Sequence, residues 1–67
     1  MILNDYVKYI EKGLRVFDYC LVEAKYYNGK VCKIGFRQYE DIVSRCDYFS
    51  NALGNDYKID KISFYNE

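Results

Sequence analysis

The stretch KYYNGKVCK, residues 25–33, decides the fold because it places Asn28-Gly29 between two runs of strand-forming residues. Asn-Gly in that setting predicts a β-hairpin. A two-residue loop and a three-residue loop differ by one residue of register, and that shift turns every side chain of one strand to the opposite face. The register therefore determines which face of the sheet is core and which face can meet a partner.

The hydrophobic pattern favours the three-residue loop, residues 27–29, with Gly29 left-handed in a bulge. The pairs that this loop creates on one face are Tyr26–Lys30, Ala24–Cys32, Val22–Ile34 and Cys20–Phe36, and on the other face Glu23 lies opposite Lys33. The two-residue loop would mix apolar and charged residues on both faces. Burial of an apolar side chain contributes about 1.5–3 kcal/mol, so several burials outweigh a preference for one turn type. The predicted core face is even-numbered: Val16, Cys20, Val22, Ala24, Cys32, Ile34 and Phe36.

The remaining segments alternate between helical and extended patterns. Residues 4–12 predict a short helix with Asn4 as N-cap and Gly13 as its left-handed stop. Residues 15–27 and 30–37 predict the hairpin strands, and residues 57–65 a last strand with a bulge near Asp60-Lys61. Residues 39–53 predict the main helix, ended by Gly54. Its predicted buried stripe is Tyr39, Ile42, Val43, Cys46, Phe49 and Leu53.

The element order α-β-β-α-β predicts a single α+β domain over residues 1–67. A right-handed crossover makes the third strand parallel to the second. The long first strand then lies between the other two. We expect a three-stranded mixed sheet of order 2-1-3. The second helix packs on its apolar face, and the first helix covers an edge or the opposite face.

Composition excludes several function classes. The chain contains no His, and its three cysteines, Cys20, Cys32 and Cys46, are widely spaced, so we expect free thiols, no metal site and no cofactor. There is no nucleophile with an evident base and no phosphate-binding glycine loop, so we expect no enzymatic activity. No signal peptide and no apolar run of about 18 residues is present, so we expect a cytoplasmic protein without membrane contact.

The odd-numbered sheet face is half apolar, and a contiguous apolar patch on a small protein is typical of an interface. The predicted protein-binding residues are Tyr19, Leu21, Tyr27 and Val31, with Tyr48 on the second helix. Tyrosine suits such a surface because it offers a large contact area with little side-chain entropy to lose. A 67-residue chain buries only about 60% of its unfolded surface, which favours homodimerisation. The leading hypothesis is a small protein-binding regulator or inhibitor.

Two other readings stay open. Lys25, Lys33 and Arg37 interleave with aromatic residues on the odd face, which is the pattern of a sheet that binds single-stranded nucleic acid. Net charge is zero, which weakens that alternative. An accessory structural subunit is the other reading.

A further hypothesis concerns the acidic second helix, with Glu40, Asp41 and Asp47. Residues 1–37 carry a net charge of +3 and residues 38–67 a net charge of −3. An acidic surface of this kind could occupy the basic groove of a nucleic-acid-handling or defence protein. The excess of residues with AT-rich codons indicates a low-GC bacterium, a phage or a mobile element as the source.

Overall fold

The structure is a computed structural model, and it describes residues 3–67. A 3-10 helix, Leu3–Tyr6, leads into helix α1, Val7–Gly13. The hairpin strands are β1, Tyr19–Tyr26, and β2, Val31–Arg37. Helix α2, Ile42–Leu53, and strand β3, Tyr57–Tyr65, complete the chain. The predicted order α-β-β-α-β is confirmed.

The hairpin has the three-residue loop and the predicted register. Ala24 pairs with Cys32, Val22 with Ile34 and Cys20 with Phe36, while Glu23 lies opposite Lys33. Gly29 has a φ of +95°, and its N–H donates to the Tyr26 carbonyl oxygen at 2.9 Å. The positive φ explains why a glycine follows Asn28, because side chains rarely tolerate that conformation. The hydrophobic pattern therefore sets the turn, and the turn sets the two faces.

The sheet order 2-1-3 is confirmed, but the sheet is antiparallel and not mixed. Strands β2 and β3 point the same way, yet each pairs only with β1, which runs opposite to both. No two neighbouring strands among residues 3–67 are therefore parallel. The predicted bulge is also confirmed: Glu23 pairs with Lys61 and Ala24 with Ile59, which leaves Asp60 as the extra residue.

Both helices cover the same face of the sheet, which corrects the expectation that the first helix covers an edge or the opposite face. Ile10 of α1 and Cys46 of α2 are fully buried in one cluster with Val22 and Phe36. Gly13 brings α1 close to β3, since a Cβ atom there would lie within 3.0 Å of three atoms of the Phe64 ring. Gly13 thus allows close packing. The predicted left-handed conformation is wrong, because the φ of Gly13 is not positive.

Asn4 does not cap the first helix as predicted. Its side-chain oxygen accepts a hydrogen bond from the Ser50 hydroxyl at 2.6 Å, and its amide donates to Asp47. The N–H of Leu3 donates to the buried Tyr57 hydroxyl at 2.9 Å. These bonds tie the first turn of the chain to α2 and β3, and they fix α1 beside α2.

Three apolar residues predicted in the core are exposed: Val16 (72%), Tyr39 (85%) and Val43 (50%). Val16 belongs to a turn in which its N–H donates to the Gly13 carbonyl oxygen, so β1 begins four residues later than predicted. Tyr39 precedes α2, because Asp41 is the N-cap and accepts from the Ser44 N–H at 3.2 Å. Val16 and Tyr39 thus lie outside the strand and the helix, whereas Val43 lies within α2 on its solvent-exposed side.

Two of the three cysteine thiols are sealed in the core. Cys20 of β1 and Cys46 of α2 are fully buried, whereas Cys32 is half-buried. Burial raises the pKa of each buried thiol to about 11, and the proximity of Cys46 contributes to the shift at Cys20. The thiolate is the reactive species, so both core thiols should be inert.

We therefore expect one fast-reacting thiol, Cys32, when the native protein meets an aromatic disulfide reagent at about pH 8. Cys20 and Cys46 should react only after unfolding. The pKa of Cys20 and of Cys46 is about 11 in the folded protein and 9.0 in the unfolded chain. The folded state therefore holds more protons between these values, so the free energy of unfolding falls as pH rises from about 9 to about 11. The Cys32→Ser variant should lose the fast phase. Three equally fast thiols in the native protein would contradict the buried positions of Cys20 and Cys46.

Candidate binding surface

The open face is the side of the sheet that faces away from both helices. Residues directly opposite on neighbouring strands point to the same side, so the register defines its members. They are Tyr19, Leu21, Glu23 and Lys25 of β1; Val31, Lys33, Gly35 and Arg37 of β2; and Lys58, Lys61, Ser63 and Tyr65 of β3. No segment within residues 3–67 packs over this face as the helices pack over the other.

One end of the open face, here called the aromatic end, is formed by Arg37, Tyr19 and Tyr65 in one cross-strand row. The Arg37 guanidinium carbon lies 5.0 Å from the centroid of the Tyr19 ring, a cation–π arrangement. The Tyr19 side chain lies across Gly35, where an added Cβ would come within 3.0 Å of three Tyr19 atoms. Glycine at this strand position thus makes room for the ring.

The other end, the lysine end, gathers Lys25, Lys33, Lys58 and Lys61 around Glu23. All four lysines are exposed. Glu23 lies between Lys33 on one neighbouring strand and Lys61 on the other. Because strands lie about 4.8 Å apart and same-face residues about 7 Å apart along a strand, the four ammonium groups share a small area. The lysine end is a positive patch with a single carboxylate at its centre.

The fold redistributes the charge of a neutral chain. The open face carries five cations and one carboxylate, Glu23, while Glu67 and Asp18 lie at its margin. The chain has ten basic and ten acidic side chains, so five basic and seven acidic side chains lie elsewhere. Charge is therefore distributed unevenly over the molecule, and the open face of the sheet is positive. Two of the five cations, Lys58 and Lys61, come from the acidic half of the sequence.

The structure brings some of the predicted binding residues together and separates others. Tyr19, Leu21 and Val31 lie on the open face, as do Lys25, Lys33 and Arg37 of the nucleic-acid alternative. Tyr27 lies in the hairpin loop, 75% exposed, where its N–H donates to the Asp56 carbonyl oxygen. Tyr48 lies on α2, on the opposite side of the sheet, against Phe49. Sequence reasoning missed Lys58, Lys61 and Tyr65.

The three residues of the predicted acidic surface each hold the fold together. Glu40 accepts a hydrogen bond from the Arg37 backbone N–H at 2.6 Å and pairs with Arg45 at 3.0 Å. Asp41 caps α2, and the hydrogen bond from the Ser44 backbone N–H lowers the pKa of the Asp41 carboxyl. Asp47 accepts from Asn4. Because each of these carboxylates already makes a contact within the fold, it is less available to a partner than the sequence pattern suggests.

Arg45 closes part of the β2 edge. In an antiparallel pair, the backbone groups of successive residues face the partner strand and face away from it in turn. Because the Tyr26 N–H donates to the Lys30 carbonyl oxygen, the backbone groups of Gly35 and Arg37 face away from β1. Arg45 donates to the Gly35 carbonyl oxygen at 2.6 Å, and the Glu40 N–H donates to the Arg37 carbonyl oxygen at 3.2 Å. An unpaired edge is a template for aggregation, so these bonds protect the sheet.

Other kinds of site find little support in the part of the chain that the structure describes. Across residues 3–67, no three Cys, Asp or Glu side chains cluster in a way that would hold a metal ion. No helix within those residues has the length and apolar character needed to cross a membrane. Comparison with protein-family models, curated protein sequences and solved structures found no match for this chain.

Proposed function

We propose that this protein is a small binding module whose open face docks on a partner protein, which it regulates or inhibits by occupying that surface. The observation that supports this most is the placement of both helices on one face of the sheet. The other face keeps Tyr19, Tyr65 and Arg37, which are residue types enriched at interface centres, with Leu21 beside them. The four lysines lie at the other end of the same face and give it a positive margin.

The size of the molecule fits this mode of action. A standard protein interface buries about 800 Å² on each partner. The structure exposes 4580 Å² in all, so one face of the sheet can supply such an area. The positive charge of the open face favours an acidic partner surface over the basic groove suggested by the acidic second helix. A cytoplasmic protein of a low-GC bacterium, or of its phage or mobile element, is the proposed setting.

A second copy of this chain is a weaker occupant of the open face. Any two-fold arrangement would bury five cations on each copy, and one that sets the two lysine ends against each other would oppose like charges, which is destabilising. A single-stranded nucleic acid is the second candidate, and the lysine end is the observation that favours it. A gel-shift titration at two salt concentrations tests it, because phosphate contacts weaken steeply with salt. No shift at low salt removes this candidate.

We expect the double substitution Tyr19→Ala with Leu21→Lys to abolish capture of the partner, because it removes the apolar centre of the open face. The measurement is affinity capture from a low-GC host lysate with mass spectrometry, beside light scattering for oligomer state. Tyr48→Ala is the matched control, since it removes a tyrosine that is 68% exposed on α2. It should capture the same partner as the parent protein.

A second variant guards against simple loss of folding. Lys25→Gln with Lys33→Gln changes only exposed side chains and sets no like charge opposite Glu23, so circular dichroism should stay unchanged. We expect this variant to lose the partner as well. Equal capture by the parent protein, both open-face variants and Tyr48→Ala would place the interface elsewhere.

A further inference from the structure

Arg37, on the open face, already binds a carboxylate of its own chain. Arg37 forms an ion pair with Glu67, and this hydrogen bond raises the pKa of the Arg37 guanidinium above its ordinary value. The backbone N–H of Glu67 donates to Asp18 Oδ2 at 3.0 Å, which holds Glu67 at the margin of the aromatic end. Both members of the ion pair stay accessible, with side-chain exposures of 41% for Arg37 and 53% for Glu67. A carboxylate from another molecule can therefore reach the same guanidinium.

The Arg37 site is fixed in place before any partner arrives. Its guanidinium lies over the Tyr19 ring, and the hydroxyl end of that ring lies against Gly35. The backbone of Arg37 is held by Glu40, which accepts from its N–H. A planar guanidinium matches a carboxylate geometrically, and a preorganised guanidinium loses less entropy on binding. This geometry suits recognition of a carboxylate.

The lysine end continues the positive surface along the same face. Four exposed lysines can pair with several carboxylates in succession, while Glu23 keeps the patch from being uniformly positive. This arrangement suits a chain with spaced carboxylates. It suits a base less well, because the Arg37 guanidinium lies over the Tyr19 ring and a base stacked on that face of the ring would have to displace it.

We propose that the open face binds an acidic segment of its partner protein, with one partner carboxylate replacing Glu67 on Arg37 and others pairing with the lysine end. The inference rests on the proposed function and names the chemistry of the partner. Glu67 then acts as an internal competitor. Its removal strengthens binding.

The test is a fluorescence anisotropy titration of a labelled poly-glutamate peptide of about a dozen residues, at low salt and neutral pH. Exposed ion pairs contribute roughly 0.2–1 kcal/mol, which corresponds to about a 1.4- to fivefold change in affinity for each pair. We expect Glu67→Gln to bind the peptide about two- to fivefold more tightly than the parent protein. Lys33→Gln with Lys61→Gln should bind it about tenfold more weakly.

The matched control is Lys8→Gln with Lys12→Gln, which removes the same charge from exposed positions of α1. Its affinity should stay within twofold of the parent protein. Equal weakening by both lysine pairs, no effect of Glu67→Gln, or tighter binding of an oligothymidylate of equal length would each overturn the inference. If these arms fail while Tyr19→Ala with Leu21→Lys still loses the captured partner, the proposed function stands and the acidic segment does not.

Discussion

Replacement of Phe36 by alanine should lower the free energy of unfolding by about 3–5 kcal/mol, because this ring is the largest fully buried side chain. Phe36 of β2 contacts the Phe49 ring of α2 edge-on, with centroids 6.5 Å apart. The Arg45 guanidinium carbon lies 5.3 Å from the centroid of the Phe36 ring. Its removal would leave a cavity between the sheet and the helix.

A domain of this size has little stability to lose, so Phe36→Ala should be largely unfolded at room temperature. Urea unfolding followed by circular dichroism measures the effect, and Phe36→Leu provides a milder variant whose transition can still be fitted. Val16→Ala is the control, since Val16 is 72% exposed and its truncation should change stability by less than about 0.5 kcal/mol. Similar midpoints for Phe36→Ala and the parent protein would contradict the described core.

Replacement of Arg45 by alanine should cost about 2–4 kcal/mol, because one side chain joins α2 to β2 in several ways. It donates to the Gly35 carbonyl oxygen, pairs with Glu40 and stacks on both Phe36 and Phe49, at 5.3 and 5.2 Å. Its Nε is buried without a hydrogen-bond partner among residues 3–67, which offsets part of this gain.

The Arg45 variant should also aggregate more readily, because the Gly35 carbonyl oxygen of the β2 edge becomes unpaired. Arg45→Met separates the two contributions, since it keeps an unbranched apolar stem over the phenylalanine rings but makes no hydrogen bond. We expect its stability to lie between those of Arg45→Ala and the parent protein. Light scattering at several protein concentrations reports aggregation. An Arg45→Ala variant as stable and monodisperse as the parent would refute this role.

The hairpin register could be predicted because the information is local. Asn28-Gly29 marks the turn, and only one register places Cys20, Val22 and Ala24 opposite apolar partners. The bulge at Asp60 was predictable for the same reason, since the apolar residues change parity there. Where the pattern within one strand or hairpin is decisive, long-range packing does not overrule it.

The position of the first helix could not be predicted, because its apolar stripe fits either face of the sheet. Long-range contacts decide it: the hydrogen bond between Asn4 and Ser50, and the close approach of Gly13 to Phe64. The start of α2 was misjudged because Tyr39 fits the helical period, whereas the cap formed by Asp41 begins the helix later.

The open face was predicted in part. The alternation of β1 and β2 places Tyr19, Leu21 and Lys33 on it. Lys58 and Lys61 were missed because charge was summed along the chain, where they belong to an acidic half. The predicted bulge and strand order together would have placed both lysines on the same face as Lys33. Charge is thus better summed over a predicted face than over a stretch of sequence.

The most direct test of the open face as the binding surface is a residue-by-residue NMR titration of the isotopically labelled protein with the poly-glutamate peptide. We expect the largest amide shift changes on the open face, at residues such as Leu21, Lys33 and Lys61, and no change at α2 residues such as Asp47 and Tyr48. Shift changes concentrated on α2, or none on the sheet at saturating peptide, would contradict it.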